Sequence, residues 1–405
     1  MSNNSSYDII VLGGGIIGTS TALSLQSNSD LKILLIEAEE KLAAHQSGNN
    51  SGVIHSGIYY KPESLKAKNC SEGRELLYRF CEEYKLKYER CGKLIVAVDK
   101  DELERLNLLY ERGIANGLTG LKRLNNDELK EYEPHVNGIA GLFVPQTGIV
   151  DYVQVTNAFA KSFKKNGGKI LTNCRFISSR TNCSELIIRT SEGKFRTKFF
   201  VNCGGLYCDL VAKQCGVRPG LLIVPFRGEY YVLKKDKEHL VKNLIYPVPD
   251  IKFPFLGVHF TRMINGGIEA GPNAVLAFKR EGYSLKDFSF ADVMNMLSYP
   301  GFWKMASKYY EMGVGEFRRS FSKKAFVKSL QKLIPEIQED DIERGGSGVR
   351  AQALDPYGNL VDDFRIVEAE RMIHVLNAPS PAATASISIG NKIAEMVRKN
   401  IKPKA

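Results

Sequence analysis

The chain has little of what marks several protein classes. Its 405 residues include one tryptophan and only six histidines. There are eight cysteines (Cys70, Cys81, Cys91, Cys174, Cys183, Cys203, Cys208 and Cys215), and none forms a CxxC pair. That spacing argues against a structural zinc site or a thioredoxin-like centre, and no metal is expected. Eight cysteines in so long a chain are no disulfide framework, so reduced thiols are expected. No run approaches the ~18 apolar residues of a spanning helix. The opening MSNNSSYDIIV lacks a basic n-region and a cleavage pattern, so no secretory signal is expected and a cytoplasmic location is. Neither a solenoid-period repeat nor a low-complexity stretch is visible.

Hydrophobic residues make up 43% and charged residues 25%, an ordinary globular composition. The length predicts two domains or one large interleaved one. A net charge of +11 suits anionic partners: nucleic acid, lipid headgroups or an acidic substrate. Nucleic acid has no motif behind it and is not expected.

Residues 7–12, YDIIVL, read as a buried strand, GGGIIG follows at 13–18, TSTALSLQ reads as a helix, and LKILLIE at 31–37 as a second strand. Gly13, Gly15 and Gly18 fit G-x-G-x-x-G, with Gly14 between them. In that pattern the first glycine turns the chain, the second admits a pyrophosphate, and the third packs helix on strand. Glu37 ends the second strand, where a carboxylate accepts the ribose hydroxyls of an adenosine. A Ser/Gly/Asn loop follows at 44–60 instead of further β-α-β units, which favours FAD over NAD. Ser47, Gly48, Asn50 and Ser51 of this loop are expected at the cofactor. Strand–glycine turn–helix order returns at 198–216, with Gly204 and Gly205. It returns again near the C-terminus, where Ser380, Ala382, Ala383 and Thr384 are expected to open the last long helix and face the flavin.

The expected fold is α/β. A Rossmann-type FAD-binding domain is assembled from 1–62, 141–216 and 345–405. An inserted α+β substrate domain with a mixed or antiparallel sheet comes from 63–140 and 217–344.

DIIVLGGGIIGTSTA, HQSGNNSGVIHSGIYY, VNCGGLYCD, PFLGVHFTR with GPNAVLA, GVRAQALDP and NAPSPAATASISIG together resemble the L-2-hydroxyglutarate dehydrogenase/oxidase family, within the D-amino-acid-oxidase-like flavoproteins. The resemblance runs from Tyr7 to about Arg398. It implies FAD and oxidation of L-2-hydroxyglutarate to 2-oxoglutarate. An amino-acid or sarcosine-type oxidase, a glycerol-3-phosphate-type dehydrogenase and a flavin-binding sensor without turnover are the alternatives.

Oxidising an α-hydroxy acid sends the C2 hydrogen to flavin N5 as hydride and the hydroxyl proton to a base. A neutral histidine suits the base. His259, on a strand in PFLGVHFTR, and His55, in the loop, are the candidates, and a hydrogen-bonded structural imidazole is the alternative for either. His55 could instead attach FAD covalently, as in some related flavoproteins. The small dicarboxylate substrate needs cations. Arg350 resembles the carboxylate-gripping arginine of the amino-acid-oxidase group, although Ala351 stands where proline is common. Arg262 is a further candidate, on the strand face opposite His259 unless a bulge turns it. Tyr59 and Tyr60 are candidate hydrogen-bond donors.

Residues 301–332 hold eight basic and two acidic residues and the single tryptophan, Trp303. A basic helix with aromatics on one face suits an anionic membrane surface, and an ordinary packed amphipathic helix is the alternative. With no second redox centre in the sequence, the electron acceptor must diffuse in. Quinone, reached peripherally at the cytoplasmic face of an inner membrane, or oxygen is expected.

Overall fold

The fold is that of a computed structural model, which describes residues 5–27, 29–182, 184–250 and 257–401. Pro254, Phe255 and Leu256 of the PFLGVHFTR segment and Cys183 lie outside the described residues.

Two large sheets organise the chain. Strands Ser6–Leu12 and Ile33–Ile36 bury their apolar runs completely at Ile9–Leu12 and Ile33–Ile36. Continuous apolar runs of this kind belong to parallel strands covered on both faces. They pair in parallel with each other, and Ser6–Leu12 also pairs with the end of strand Gly193–Asn202. That end pairs in turn with Met372–Asn377, while Lys169–Leu171 closes the other edge. Sequence-distant segments therefore share one parallel core, as the interleaved reading expects. An antiparallel hairpin, Phe176–Asn182 with Glu185–Thr190, extends the sheet.

Helix Ile16–Gln26 follows the glycine loop and packs against the last helix, Ser386–Ile401. Ser20 Oγ donates to the Ser386 carbonyl at 2.8 Å. A Cβ on Gly390 would come within 2.5 Å of Ser20 Oγ, so only glycine allows this approach. Residues 380–384 form the turns before the last helix rather than its opening turn, because the helix begins at Ser386.

Among the described residues the second sheet has nine strands. Its spine is the antiparallel pair Leu222–Leu233 and Ile342–Leu354, running from Leu222 opposite Leu354 to Leu233 opposite Ile342 with a register shift between Glu229 and Tyr231. Strands Lys93–Ala97, Leu244–Pro247, His259–Arg262 and Ile268–Gly271 continue it. Ala140–Val144 and most of Ile342–Leu354 also pair in this sheet, although the expected boundaries at 141 and 345 put them with the cofactor segments. IERGGSGVRAQAL has neither clean alternation nor many apolar residues. Its strand state follows from a long partner rather than from its own pattern.

A buried fork ties the two parts together. Arg280 bonds both carboxylate oxygens of Asp209, at 2.6 and 2.9 Å, with both side chains almost wholly shielded from water. Asp209 sits on helix Cys208–Gln214 beneath the first sheet.

The 301–332 segment forms helices Pro300–Phe321 and Lys323–Leu330, the first interrupted at Tyr309 by non-helical backbone. Its aromatics divide between two faces instead of sharing one. Phe302 and Phe326 are buried, whereas Trp303, Tyr310 and Phe321 are exposed. The preceding helix, Phe290–Leu297, adds exposed Phe290, Met294 and Leu297. Trp303 Nε1 donates to the Leu297 carbonyl at 2.8 Å, which joins the two apolar surfaces. No helix among the described residues is long and apolar enough to cross a membrane. The seven described cysteines are free.

Candidate active site

One large cavity, about 1320 Å³, runs from the glycine loop to the second sheet. Its cofactor end is built by the first strand, the glycine loop and the first helix. Gly13 has φ +106°, and a Cβ there would sit 2.4 Å from the Cys203 carbonyl oxygen. A Cβ on Gly18 would collide with the Gly13 carbonyl. Gly15 is different: the nearest atom a Cβ would meet is Ser47 Oγ at 3.2 Å, so its openness faces the cavity. The helix starting at Ile16 has no side-chain N-cap, and Ile16, Ile17 and Gly18 line the cavity. Ser47 Oγ accepts one first-turn N–H, from Ile16, at 2.9 Å. First-turn amides and a positive dipole end are what a pyrophosphate requires.

Glu37 lines the same end. Gly14 N–H donates to its Oε2 at 2.5 Å and Glu39 N–H to its Oε1 at 2.9 Å. Two backbone donors fix the carboxylate and leave lone pairs for ribose hydroxyls. The residues therefore fit FAD at this end. Gly14 itself does not line the cavity; it acts through Glu37. Asn50 staples its own loop, donating to the Gln46 and Ser47 carbonyls and accepting from Gly52 N–H. Ser51, Gly204, Gly205, Ser380, Ala382 and Ala383 also line the cavity. Gly48 and Thr384 do not. Gly48 packs on the Ala43 carbonyl, and Thr384 Oγ1 accepts from His55 N–H at 3.0 Å behind the wall.

The other end brings His55, His259, Tyr59, Tyr60 and Arg350 together. His259 Nδ1 lies 2.8 Å from the Gly257 carbonyl oxygen. A carbonyl only accepts, so Nδ1 carries the proton and Nε2 keeps a free lone pair. The ring stacks on Tyr246 at 3.9 Å. Burial pushes the His259 pKa down to about 4; the Gly257 bond opposes that and the Lys93 charge adds to it. Burial pushes His55 down to about 3, with Lys93, His259 and Lys66 contributing. Both imidazoles are neutral near pH 7. Burial also lowers Arg350, against the pull of Asp362 and Tyr60.

Arg262 is not brought to this cavity. Its Nη2 donates to Glu89 Oε1 at 2.6 Å and to Asn243 Oδ1 at 3.1 Å, on the strand face away from His259. The regular strand His259–Arg262 contains no bulge that would turn it inward.

Several residues the sequence reading passed over join the site. Lys66 lines the cavity, pairs with Asp362 at 2.6 Å and lies over the Tyr60 ring at 5.4 Å. Arg112 donates to the Tyr59 carbonyl at 3.0 Å. His45, at the cofactor end, lies 3.6 Å from Glu39 and 3.5 Å from Glu281. Tyr246 lines the cavity beside His259, and Lys93 lies behind Tyr59 and Tyr246. A lysine opening the apolar run KLIVA was the one available signal.

The family model for FAD dependent oxidoreductases matches residues 8–396. An L-2-hydroxyglutarate dehydrogenase of Indibacter alkaliphilus is 55% identical, over 97% of this chain and 99% of its own. The human mitochondrial L-2-hydroxyglutarate dehydrogenase is 48% identical, over 98% and 90%, and that of Escherichia coli K12 is 45% identical, over 97% and 93%. Among solved structures, the L-alpha-glycerophosphate oxidase of Mycoplasma pneumoniae with FAD bound gives a TM-score of 0.80 at 24% identity, covering 97% of this chain and 95% of its own. Glycine oxidase from Geobacillus kaustophilus gives 0.74 at 16% identity, covering 99% and 96%.

Proposed function

Because the chain belongs to the FAD dependent oxidoreductases, and within them to the L-2-hydroxyglutarate dehydrogenases, we propose that it oxidises L-2-hydroxyglutarate to 2-oxoglutarate. The carrying observation is a neutral imidazole pair beside buried cations, in the cavity that begins at the glycine loop. On this reading the first sheet and its helices hold FAD, and the second sheet forms the substrate half.

FAD, when bound, supplies the hydride acceptor. The chain's own residues do the rest. Arg350 presents a planar fork to a carboxylate, a geometry an ammonium cannot match. Tyr60 and Lys66 beside it add a donor and a second positive charge. His259 takes the hydroxyl proton at Nε2 while the Gly257 carbonyl holds its tautomer. His55 stays neutral next to it, so the base faces no charged imidazole before turnover. A bound dianion raises the proton affinity of His259 by its negative charge, as a base needs when it accepts a proton.

The visible spectrum of the purified, FAD-loaded protein tests this. L-2-Hydroxyglutarate should bleach the flavin band. Bleaching by glycine, sarcosine or glycerol 3-phosphate, but not by L-2-hydroxyglutarate, would overturn the substrate.

For the acceptor we infer quinone, reached from the cytoplasmic face of an anionic membrane. Support comes from Phe290, Trp303 and Phe321, which are 71%, 57% and 70% exposed, and from Lys304, Lys308 and Arg318 on the same helix as the last two. Apolar rings with basic neighbours suit an interfacial helix. Oxygen is the alternative acceptor.

A further inference from the structure

We propose that Lys93, acting through the Tyr59 hydroxyl, is the positioning residue for the second carboxylate of the substrate and so selects dicarboxylates over monocarboxylates. The inference rests on the dicarboxylate reading above and adds which groups recognise the second charge.

Lys93 opens the strand Lys93–Ala97 and is 1% exposed. Its Nζ lies 4.3 Å from the Tyr59 ring centre and 4.6 Å from that of Tyr246. It donates to Tyr59 Oη at 3.2 Å. Among the described residues no carboxylate lies within ion-pair distance of Nζ. The nearby Cys70 stays a thiol, because burial pushes its pKa up to about 12. An ammonium buried without a counter-ion is costly, and two ring faces and one phenol oxygen offset that only in part. Burial accordingly pushes the Lys93 pKa down to about 7.

Tyr59 lines the cavity and Lys93 lies behind it. Because the ammonium donates to Oη, the Tyr59 proton is left to point away from Lys93. That makes the hydroxyl a polarised donor, and a carboxylate accepting from it gains the counter-charge that Lys93 lacks. The next residue repeats the arrangement with other cations: Tyr60 lies beneath Lys66 and within electrostatic reach of Arg350. Two adjacent tyrosines, each backed by its own positive charge, match a ligand with two carboxylates. A monocarboxylate would engage one pair and leave the other uncompensated.

The test is calorimetric titration of the FAD-loaded protein with glutarate and with butyrate, non-reacting mimics with two charges and one. The wild type should bind glutarate about 10–100-fold more tightly than butyrate, the range of a hydrogen bond to a charged group. Lys93→Met should shrink that preference to a few fold and leave butyrate binding in place. Tyr59→Phe, which keeps the ammonium, should do the same and serves if Lys93→Met fails to fold. A full glutarate preference in both variants, or equal losses for both ligands, would overturn the assignment while L-2-hydroxyglutarate still bleaches the wild type. A wild type that does not prefer glutarate would overturn the dicarboxylate reading and the assignment with it.

Discussion

His259 and His55 differ in how firmly their protons are assigned. The Gly257 carbonyl fixes the tautomer of His259, whereas among the described residues His55 Nε2 has only Ser380 Oγ, at 3.4 Å. His259→Ala should therefore retain FAD and slow hydroxy-acid oxidation roughly 10²–10⁴-fold. Stopped-flow bleaching would show it, and a larger loss in His55→Ala would exchange the two roles. A base works only when deprotonated, and the His259 pKa is pushed down to about 4. Hence kcat/KM should show no His259 limb between about pH 7 and 5, rising at most about twofold as Lys93 becomes fully charged, and fall only as the pH drops further. An acid limb near the ordinary histidine value of about 6.5 would contradict the burial that neutralises it. Arg350→Lys keeps the charge but loses the fork, so KM for the hydroxy acid should rise about tenfold or more; unchanged kinetics would remove Arg350 from the site. At this scale the sequence was legible where a residue type has few jobs. His259 and His55 could be picked out by their surroundings, whereas His45 could not. Arg262 and Lys93 could not, because a cation on a strand reads the same whether it meets Glu89 or two tyrosine rings.

The glycine loop separates two kinds of glycine that look alike in a motif. Gly13 and Gly18 are closed in by backbone, while Gly15 opens on the cavity. Gly15→Val should thus fold, with a normal far-UV circular dichroism spectrum, yet purify colourless because the valine occupies the pyrophosphate's place. Gly18→Ala should instead lower the yield of folded protein, since its Cβ meets the Gly13 carbonyl. A yellow Gly15→Val protein with full FAD content would refute the cofactor placement. Elements with a strong pattern, such as the β-α-β unit from Ser6 to Ile36, were readable from the sequence. The strand Ile342–Leu354 was not, because its glycines and charges are held in the sheet by Leu222–Leu233 and carry no pattern of their own. Arg350 owes its position in the cavity wall to that borrowed strand.

For the whole molecule, three histidines are held neutral by burial: His55 at about 3 and His259 and His374 at about 4. Each binds a proton more readily when unfolded, near pH 6.5, so each contributes stability that is present above that pH and lost as the pH falls toward its folded value. The three together imply a slope of roughly 4 kcal/mol per pH unit between about pH 6 and 4. Thermal midpoints across that range should drop steeply, and His374→Asn should make the slope about a third shallower. Membrane attachment also belongs to this scale. Flotation with anionic liposomes should carry the wild type at low salt, and Phe290→Ser with Trp303→Ser and Phe321→Ser should not float. Equal flotation of both proteins, or none by the wild type, would favour a freely diffusing oxidase. The aromatic, basic composition of 301–332 was legible, but its division into buried Phe302 and Phe326 and exposed Trp303 and Phe321 depends on packing against elements far along the chain. The contact between Ser20 and Ser386, 366 residues apart, bears on the protein's birth as well as its shape. At ribosomal speeds of about 5–20 residues per second, the glycine-loop helix waits roughly 20–70 s for the helix that covers it. Until then its side toward helix Tyr152–Lys165 is covered but that toward the last helix is not, and the 380–383 part of the cavity wall is missing. The cavity is therefore expected to hold its cofactor only once residues 380–383 and the helix after them have been made.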